Sequence, residues 1–304
     1  MKRFPASDLK NVYSPFHTPH GRVADGETFQ VETEDGFGGR FRDPDGYTAE
    51  NIEWVEENLD VVTGPIYVEG AGAGDVVAVR IDGVEVTTPG TVVVGPYTDP
   101  SPDDWWLDED RAMTLPIEDG HVRLGERIRV PVRPLIGCLA TAPKQEVVLS
   151  RYEAEFGGNQ DCNPMTSGST VVLPVNVDGA LLYFGDCKAR MADGEIAVAP
   201  EVGTLITVTA TVRKRPGSMR WPRIETESEL MTVVSDASLA DACRQAFRQM
   251  LLWLEEDTGS DRPTIALLMG MVADTRVCQV SNRLHTARCT VPRDVLTGLG
   301  TERI

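Results

Sequence analysis

Thr170-Val171-Val172-Leu173-Pro174-Val175-Asn176-Val177-Asp178-Gly179-Ala180-Leu181-Leu182-Tyr183-Phe184 places apolar and β-branched side chains on both sides of Asp178-Gly179. Each run is too short for a typical helix, and the pair between them is a turn former. The stretch therefore predicts two buried strands joined as a hairpin. A hairpin there brings together the residues just outside it, 157–162 and 185–195. Both flanks are rich in glycine and acid: Gly157-Gly158-Asn159-Gln160-Asp161-Cys162 on one side, and Gly185-Asp186-Cys187-Lys188-Ala189-Arg190-Met191-Ala192-Asp193-Gly194-Glu195 on the other. Glycines let backbone approach a ligand closely, and Asp161, Asp186, Asp193 and Glu195 are candidates for metal ligands or for an acid and a base. The same residues also suit plain turns and solvated strand ends.

Working outward, residues 12–81 carry strand-like alternation, as in Thr28-Phe29-Gln30-Val31-Glu32-Thr33 and Val76-Val77-Ala78-Val79-Arg80-Ile81. Residues 82–113 read as an exposed excursion from that sheet, with Trp105 and Trp106 as packing anchors. Residues 203–214, dense in Val, Ile and Thr, predict another strand. The period then changes. Ser238 caps a predicted helix whose apolar residues, from Leu239 to Leu254, recur at helical spacing until Thr258-Gly259 stops it. Pro263 opens a second helix over 264–272, and 276–280 with 287–291 read as a strand pair. The expected fold is α+β and predominantly β. It has a sandwich- or barrel-like body over 1–215, holding both glycine-rich segments, and a C-terminal α/β portion over 216–304 packed on the same core.

The 304 residues include 29 Lys plus Arg against 47 Asp plus Glu, a net charge of −18. Such a charge repels phosphate backbones and anionic lipid, which excludes nucleic acid as an expected partner. No apolar stretch follows the basic start Met1-Lys2-Arg3, and the longest apolar run, 265–273, falls well short of the roughly 20 residues that span a bilayer. A soluble, cytoplasmic protein without membrane association is expected. Six cysteines without a C-x-x-C pair predict reduced, buried thiols, and four scattered histidines form no zinc motif. Lesser candidates are Ser167 and Ser169 as nucleophiles near Lys188, Cys162 and Cys187 as a close pair, and His17 and His20.

Several blocks together carry a family resemblance: Thr63-Gly64-Pro65-Ile66-Tyr67-Val68-Glu69-Gly70-Ala71, Gly157-Gly158-Asn159-Gln160-Asp161, Leu173-Pro174-Val175-Asn176-Val177, Gly185-Asp186 with Asp193-Gly194-Glu195, and Trp221-Pro222-Arg223-Ile224-Glu225-Thr226. In order and spacing the chain resembles the acetamidase/formamidase family over about residues 12–295, including its C-terminal strand motif at 273–280. The resemblance implies hydrolysis of the C–N bond of a small linear amide to carboxylate and ammonia, by a homodimer or larger homo-oligomer. It also implies a divalent metal, zinc or calcium, held by Asp161, Asp186 and Glu195. Gly158, Asn159, Asp193 and Glu69 become candidate substrate-binding residues.

Two positions depart from the family pattern. Lys188 stands where the family commonly has a histidine, and Phe156 stands where it often has another. A protonated lysine has no lone pair to give a metal. Three readings follow: a hard cation held by oxygens alone, Lys188 acting as a fixed positive charge with Asp161 or Glu195 as base, or a non-hydrolytic small-molecule-binding paralogue. In the first two, Asp161, Asp186, Lys188 and Glu195 are the catalytic set.

Overall fold

The computed structural model describes residues 1–95, 109–196 and 198–299. Their secondary structure is dominated by two nine-stranded sheets. The first runs Lys2–Phe4, Thr28–Thr33, Thr204–Lys214, Asp75–Val86, Thr170–Pro174, Arg223–Glu225, Glu229–Asp236, His285–Pro292, Asp274–Gln279. The second runs Glu153–Ala154, Gly157–Asn159, Leu135–Ala140, Leu182–Lys188, Glu201–Val202, Gly90–Val94, Arg111–Leu115, with Val62–Val68 and Gly21–Val23 joined to the side of Leu182–Lys188. A mixed α+β fold dominated by sheet, with a C-terminal α/β region, is what the sequence predicted.

The main core cluster draws on both sheets, with Phe29, Val31 and Val79 from the first and Ile66, Leu139 and Phe184 from the second. Alternation in Thr28–Thr33 follows the pleat: Phe29, Val31 and Thr33 are buried while Thr28, Gln30 and Glu32 are partly exposed. Strand Leu182–Lys188 has every residue buried, which explains its unbroken apolar run up to Gly185.

Four expectations need correction or placement. First, the strands flanking Asp178-Gly179 are both buried, but they are not a hairpin. Thr170–Pro174 pairs with Asp75–Val86 and Arg223–Glu225 in the first sheet, whereas Leu182–Lys188 pairs in the second. Ala180 and Leu181 both take a φ of 58°, so the turn swings the chain from one sheet to the other. Second, residues 12–81 are not all strand, because helix α1 (Ala49–Asn58) interrupts them. Thr48 caps it, and Ile52, Val55 and Leu59 recur at helical spacing toward a small cluster with Phe37 and Phe41. Third, much of 82–113 belongs to the sheets through Asp75–Val86, Gly90–Val94 and Arg111–Leu115. Trp105 and Trp106 lie outside the described residues. Finally, the portion after residue 215 adds four strands directly to the first sheet.

Helix α2 (Leu239–Thr258) begins at its Ser238 cap and ends at Gly259, whose φ of 67° is the left-handed conformation glycine favours. Helix α3 (Arg262–Val272) follows, capped by Asp261. The two helices and the last strands share a second core cluster around Trp253, Leu254 and Ile265. Among the described residues no helix is long and apolar enough to cross a membrane.

Candidate functional site

Strand Leu135–Ala140 organises the site. Its Cys138 pairs with Asn159 on one side and with Gly185 on the other. The two glycine-rich segments therefore do converge, through this strand between them and not through a hairpin. Asp161 and Asp186 then meet above Gly137, where a β-carbon would lie 2.5 Å from Asp161 Oδ1 and from Asp186 Oδ2. Gly137→Ala should displace both carboxylates and the Asp186 main-chain carbonyl, and lower turnover by about a hundredfold, the cost of misplacement by about 1 Å. Steady-state ammonia release on the folded variant checks this.

Lys188 ends the central strand, and its side chain turns inward with only 3% of its surface exposed. Nζ lies 2.6 Å from Asp186 Oδ2 and 2.7 Å from Asp161 Oδ1, with Glu201 Oε1 at 3.4 Å and Glu195 Oε1 at 3.7 Å. Glu201 is its cross-strand neighbour. Asp60, just after α1, completes the group, accepting a 2.9 Å hydrogen bond from Asn159 Nδ2. Gly36 leaves room for it, since a β-carbon there would sit within 3.2 Å of Asp60, Asp186 and Glu201 oxygens. Asn282 donates to Asn159 O at 3.0 Å and reaches Asp161 Oδ2 at 3.5 Å.

Backbone strain is concentrated at the site. Among the described residues, seven non-glycine positions have positive φ, and four are Asp60 (61°), Asp161 (45°), Asp186 (48°) and Glu195 (23°). Such conformations cost of order 1–3 kcal/mol each and persist where function needs a side chain aimed against local preference.

Five carboxyl groups around one ammonium cannot all be charged. Burial alone would depress the Lys188 ammonium, but Asp161, Asp186, Glu201 and Glu195 hold it charged above the ordinary lysine range. Burial also works against ionisation of Asp186, yet Lys188 and hydrogen bonds from Glu201 and Asp161 outweigh it and keep this carboxyl below its usual value. Asp161 is raised to about 6, by burial first and by the Asp186 charge, with Lys188 opposing. Glu195, Glu201 and Asp60 are raised well above the carboxylate range, by burial first and then by Asp161 or Asp186. Glu153, at the edge of the group, is raised to about 8 by burial and Asp161. Asp161 lies close enough to Glu195, and Asp186 close enough to both Glu201 and Asp161, for a protonated member to donate to its neighbour. Glu195 Oε2 and Glu201 Oε2 are buried with no hydrogen-bond partner, a setting that favours the protonated form of each acid. The result is a row of neighbouring acids, Glu195, Asp161, Asp186 and Glu201, with the Lys188 ammonium against all four.

A divalent metal does not fit these residues as they stand. The gap between Asp161 Oδ1 and Asp186 Oδ2 is filled by Nζ, and an ammonium can only repel a second cation from it. Among the described residues no group of three or more His, Cys, Asp or Glu side chains is disposed to hold a metal ion. Phe156 is buried in an aromatic cluster, its ring edge-on to Tyr13 at 5.6 Å, and takes no part in the acid group.

Of the remaining sequence candidates, Gly158 and Asn159 lie in the strand beside Asp161. Asp193 is next to the site but spent on Arg288, which grips it with two bonds of 2.8 and 2.6 Å. Glu69 is a correction. It is exposed just beyond Val62–Val68, whose Val62 end pairs with Gly185, so it lies about 20 Å along the strand at roughly 3.3 Å per residue. Cys162 and Cys187 are both buried but do not pair: Cys162 Sγ is 3.3 Å from Cys278 Sγ, and Cys187 faces Thr33 and Thr204. Ser167 Oγ accepts from Val84 N of strand Asp75–Val86, and Ser169 Oγ donates to Thr166 O within its own turn. His17 contacts Tyr183 Oη, and His20 lies by the Phe4 ring. Sequence reasoning missed Asp60, Glu153, Glu201 and Asn282. Each is a single polar residue in an ordinary local context, so no sequence signal marks it.

A family model described as the Acetamidase/Formamidase family matches residues 3–155 and 148–232. The crystal structure of an acetamidase from Bacillus halodurans is similar, with a TM-score of 0.92 and 29% identity over 98% of this chain and 100% of that one. An acetamidase from Yersinia enterocolitica gives 0.87 and 25% over 97% and 92%. A Schizosaccharomyces pombe protein that carries a formamidase name is 25% identical over 272 residues, 69% of this chain and 66% of that protein. The chain thus spans about two thirds of the length of the curated relative it matches. With the family model covering three quarters of the sequence and the same fold shared end to end with a named acetamidase, the chain belongs to the acetamidase/formamidase family.

Proposed function

We propose that the chain hydrolyses the C–N bond of a small amide to a carboxylate and ammonia, with the Asp161–Glu195 pair as its proton shuttle and Lys188 as its built-in cation. The observation that carries this is that Asp161 and Glu195 converge on Lys188 Nζ, at 2.7 and 3.7 Å, with Glu195 also lining an open cleft. When Asp161 is the protonated member, Glu195 accepts a proton from the water that adds to the amide carbon. When the C–N bond breaks, Glu195 returns a proton to the departing nitrogen, which leaves as ammonia and not as an amide anion. Each cycle consumes one water and restores the pair.

Lys188 works through its neighbours. By holding Asp186 ionised and lowering Asp161 against the pull of burial, it keeps one negative charge in the pair at neutral pH. It takes the position where the family resemblance implies a divalent ion, and no step here passes through a metal. Asp186 anchors the ammonium, Asn159 and Asp60 brace the far side, and Glu201 mirrors Glu195. We also take the two sheets with their shared core as a β-sandwich. The six free cysteines of the described chain suit a cytoplasmic location, and exposed apolar side chains such as Phe16, Leu267 and Met271 suit a homo-oligomer.

The expected pH–rate profile is a bell. Below about pH 6 both carboxyls of the pair are protonated and no base remains; above the raised value of Glu195 both are ionised and no acid remains. Measured as kcat/KM for ammonia release from acetamide, the acid limb should fall near pH 6. An acid limb near 4, the range of an ordinary carboxylate, would count against the pair.

A further inference from the structure

The cleft that Glu195 lines has a volume of about 290 Å³ and apolar walls that include Met191, Ile196 and Val198. It shares the Arg190–Asp193 stretch with a second cleft of about 240 Å³, which adds Arg133, Arg276 and Arg288. Four guanidinium groups thus face two lining carboxylates, Asp193 and Glu229, in a chain whose net charge is −18. Arg288 is neutralised by Asp193, and Arg276 is held by Asp274 at 2.9 Å. Arg133 and Arg190 are exposed and make no ion pair among the described residues.

An overall acidic protein repels anions at long range, so a local excess of unpaired guanidinium beside a reaction cleft selects for something. Formamide and acetamide have no charge for it to meet, and both are small for a space of about ten water volumes at roughly 30 Å³ each. A carboxylate matches the planar fork of arginine donors. Arg190 lines both clefts, so a ligand whose amide lies at Glu195 has its other end directed toward Arg190 and Arg133.

We propose that the substrate is an amide that also bears a carboxylate, bound with the amide at Glu195 and the carboxylate on Arg190 and Arg133. This rests on the amidase reading and names the substrate class of that site. The product is then a dicarboxylate, and its second negative charge appears at the acid cluster, whose repulsion favours release.

The test compares kcat/KM for succinamate with that for 4-oxopentanamide, its neutral isostere, in the wild type and in an Arg133→Gln/Arg190→Gln double variant. The expected ratio in the wild type is about tenfold or more in favour of succinamate, as charge-assisted hydrogen bonds allow. It should approach one in the double variant and shrink as salt is raised. A wild-type ratio of one or below, or a ratio that the double variant leaves unchanged, overturns the proposal while neutral-amide turnover keeps the amidase reading. If no amide is turned over, the amidase reading fails, and calorimetric titration with succinate still decides the carboxylate site: binding lost in the double variant supports it, and no binding overturns it. Inorganic phosphate that binds the two arginines without competing with succinamate would assign the cleft to a separate anion and likewise overturn the proposal.

Discussion

Lys188→Met should lower ammonia release by about 10²–10³-fold, the contribution of one preorganised charge in a buried site, and should destabilise the fold at pH 8 by about 3–5 kcal/mol. Nζ is the cation on which Asp161, Asp186, Glu195 and Glu201 converge, and methionine has a similar length without the charge. The loss of stability grows as pH rises. In the wild type Lys188 keeps Asp186 below the ordinary aspartate value. Without it, burial and the neighbouring acids push Asp186 up, so the folded variant retains a proton that the unfolded chain has released. Its stability therefore falls as pH rises above about 4, the unfolded aspartate value. Thermal unfolding of the variant should lie nearest the wild type at pH 5 and furthest from it at pH 8. An equal loss at both pH values would mean that the lysine matters for packing and not for its charge.

Asp161→Asn should cost about 10²–10⁴-fold in kcat/KM, the usual contribution of a positioned acid–base group. The variant is unusually clean. Asparagine is isosteric, and it tolerates the left-handed backbone better than most residues, so the φ of 45° at this position does not penalise it. The substitution also removes a carboxyl whose ionisation is already resisted by burial and by Asp186, and which in turn raises Glu153 and Glu195. Activity should fall while the unfolding midpoint at pH 8 stays level or rises. Loss of both together would make Asp161 a structural residue.

The strands around Asp178-Gly179 show how far the sequence could be read. Their apolar runs announce burial on both faces, and nearly every residue of both strands is buried. The same pattern says nothing about which strand lies alongside which, and so it could not distinguish a hairpin from a crossing between sheets. The convergence of Asp161 with Asp186 survived that error because Leu135–Ala140 lies between their strands and pairs with both. Lys188 was legible as a departure, since an ammonium and an imidazole differ in chemistry wherever they sit. Asp60 and Glu201 were not legible, because each is a single acid in an ordinary local context. Only the tertiary approach across Gly36 brings both beside Asp186. Glu69 shows the reverse case, a residue inside a matching block that the strand carries away from the site. Helix α1 was missed because its acidic, weakly apolar sequence lies between two segments of strong alternation.

In the proposed site a lysine does the work of a metal cation. The most direct measurement is ammonia release by the purified protein after exhaustive chelation, with the metal content of the same sample determined alongside. Turnover that persists with zinc and calcium far below one per chain is the predicted result. Turnover that disappears on chelation and returns with a divalent ion would contradict it.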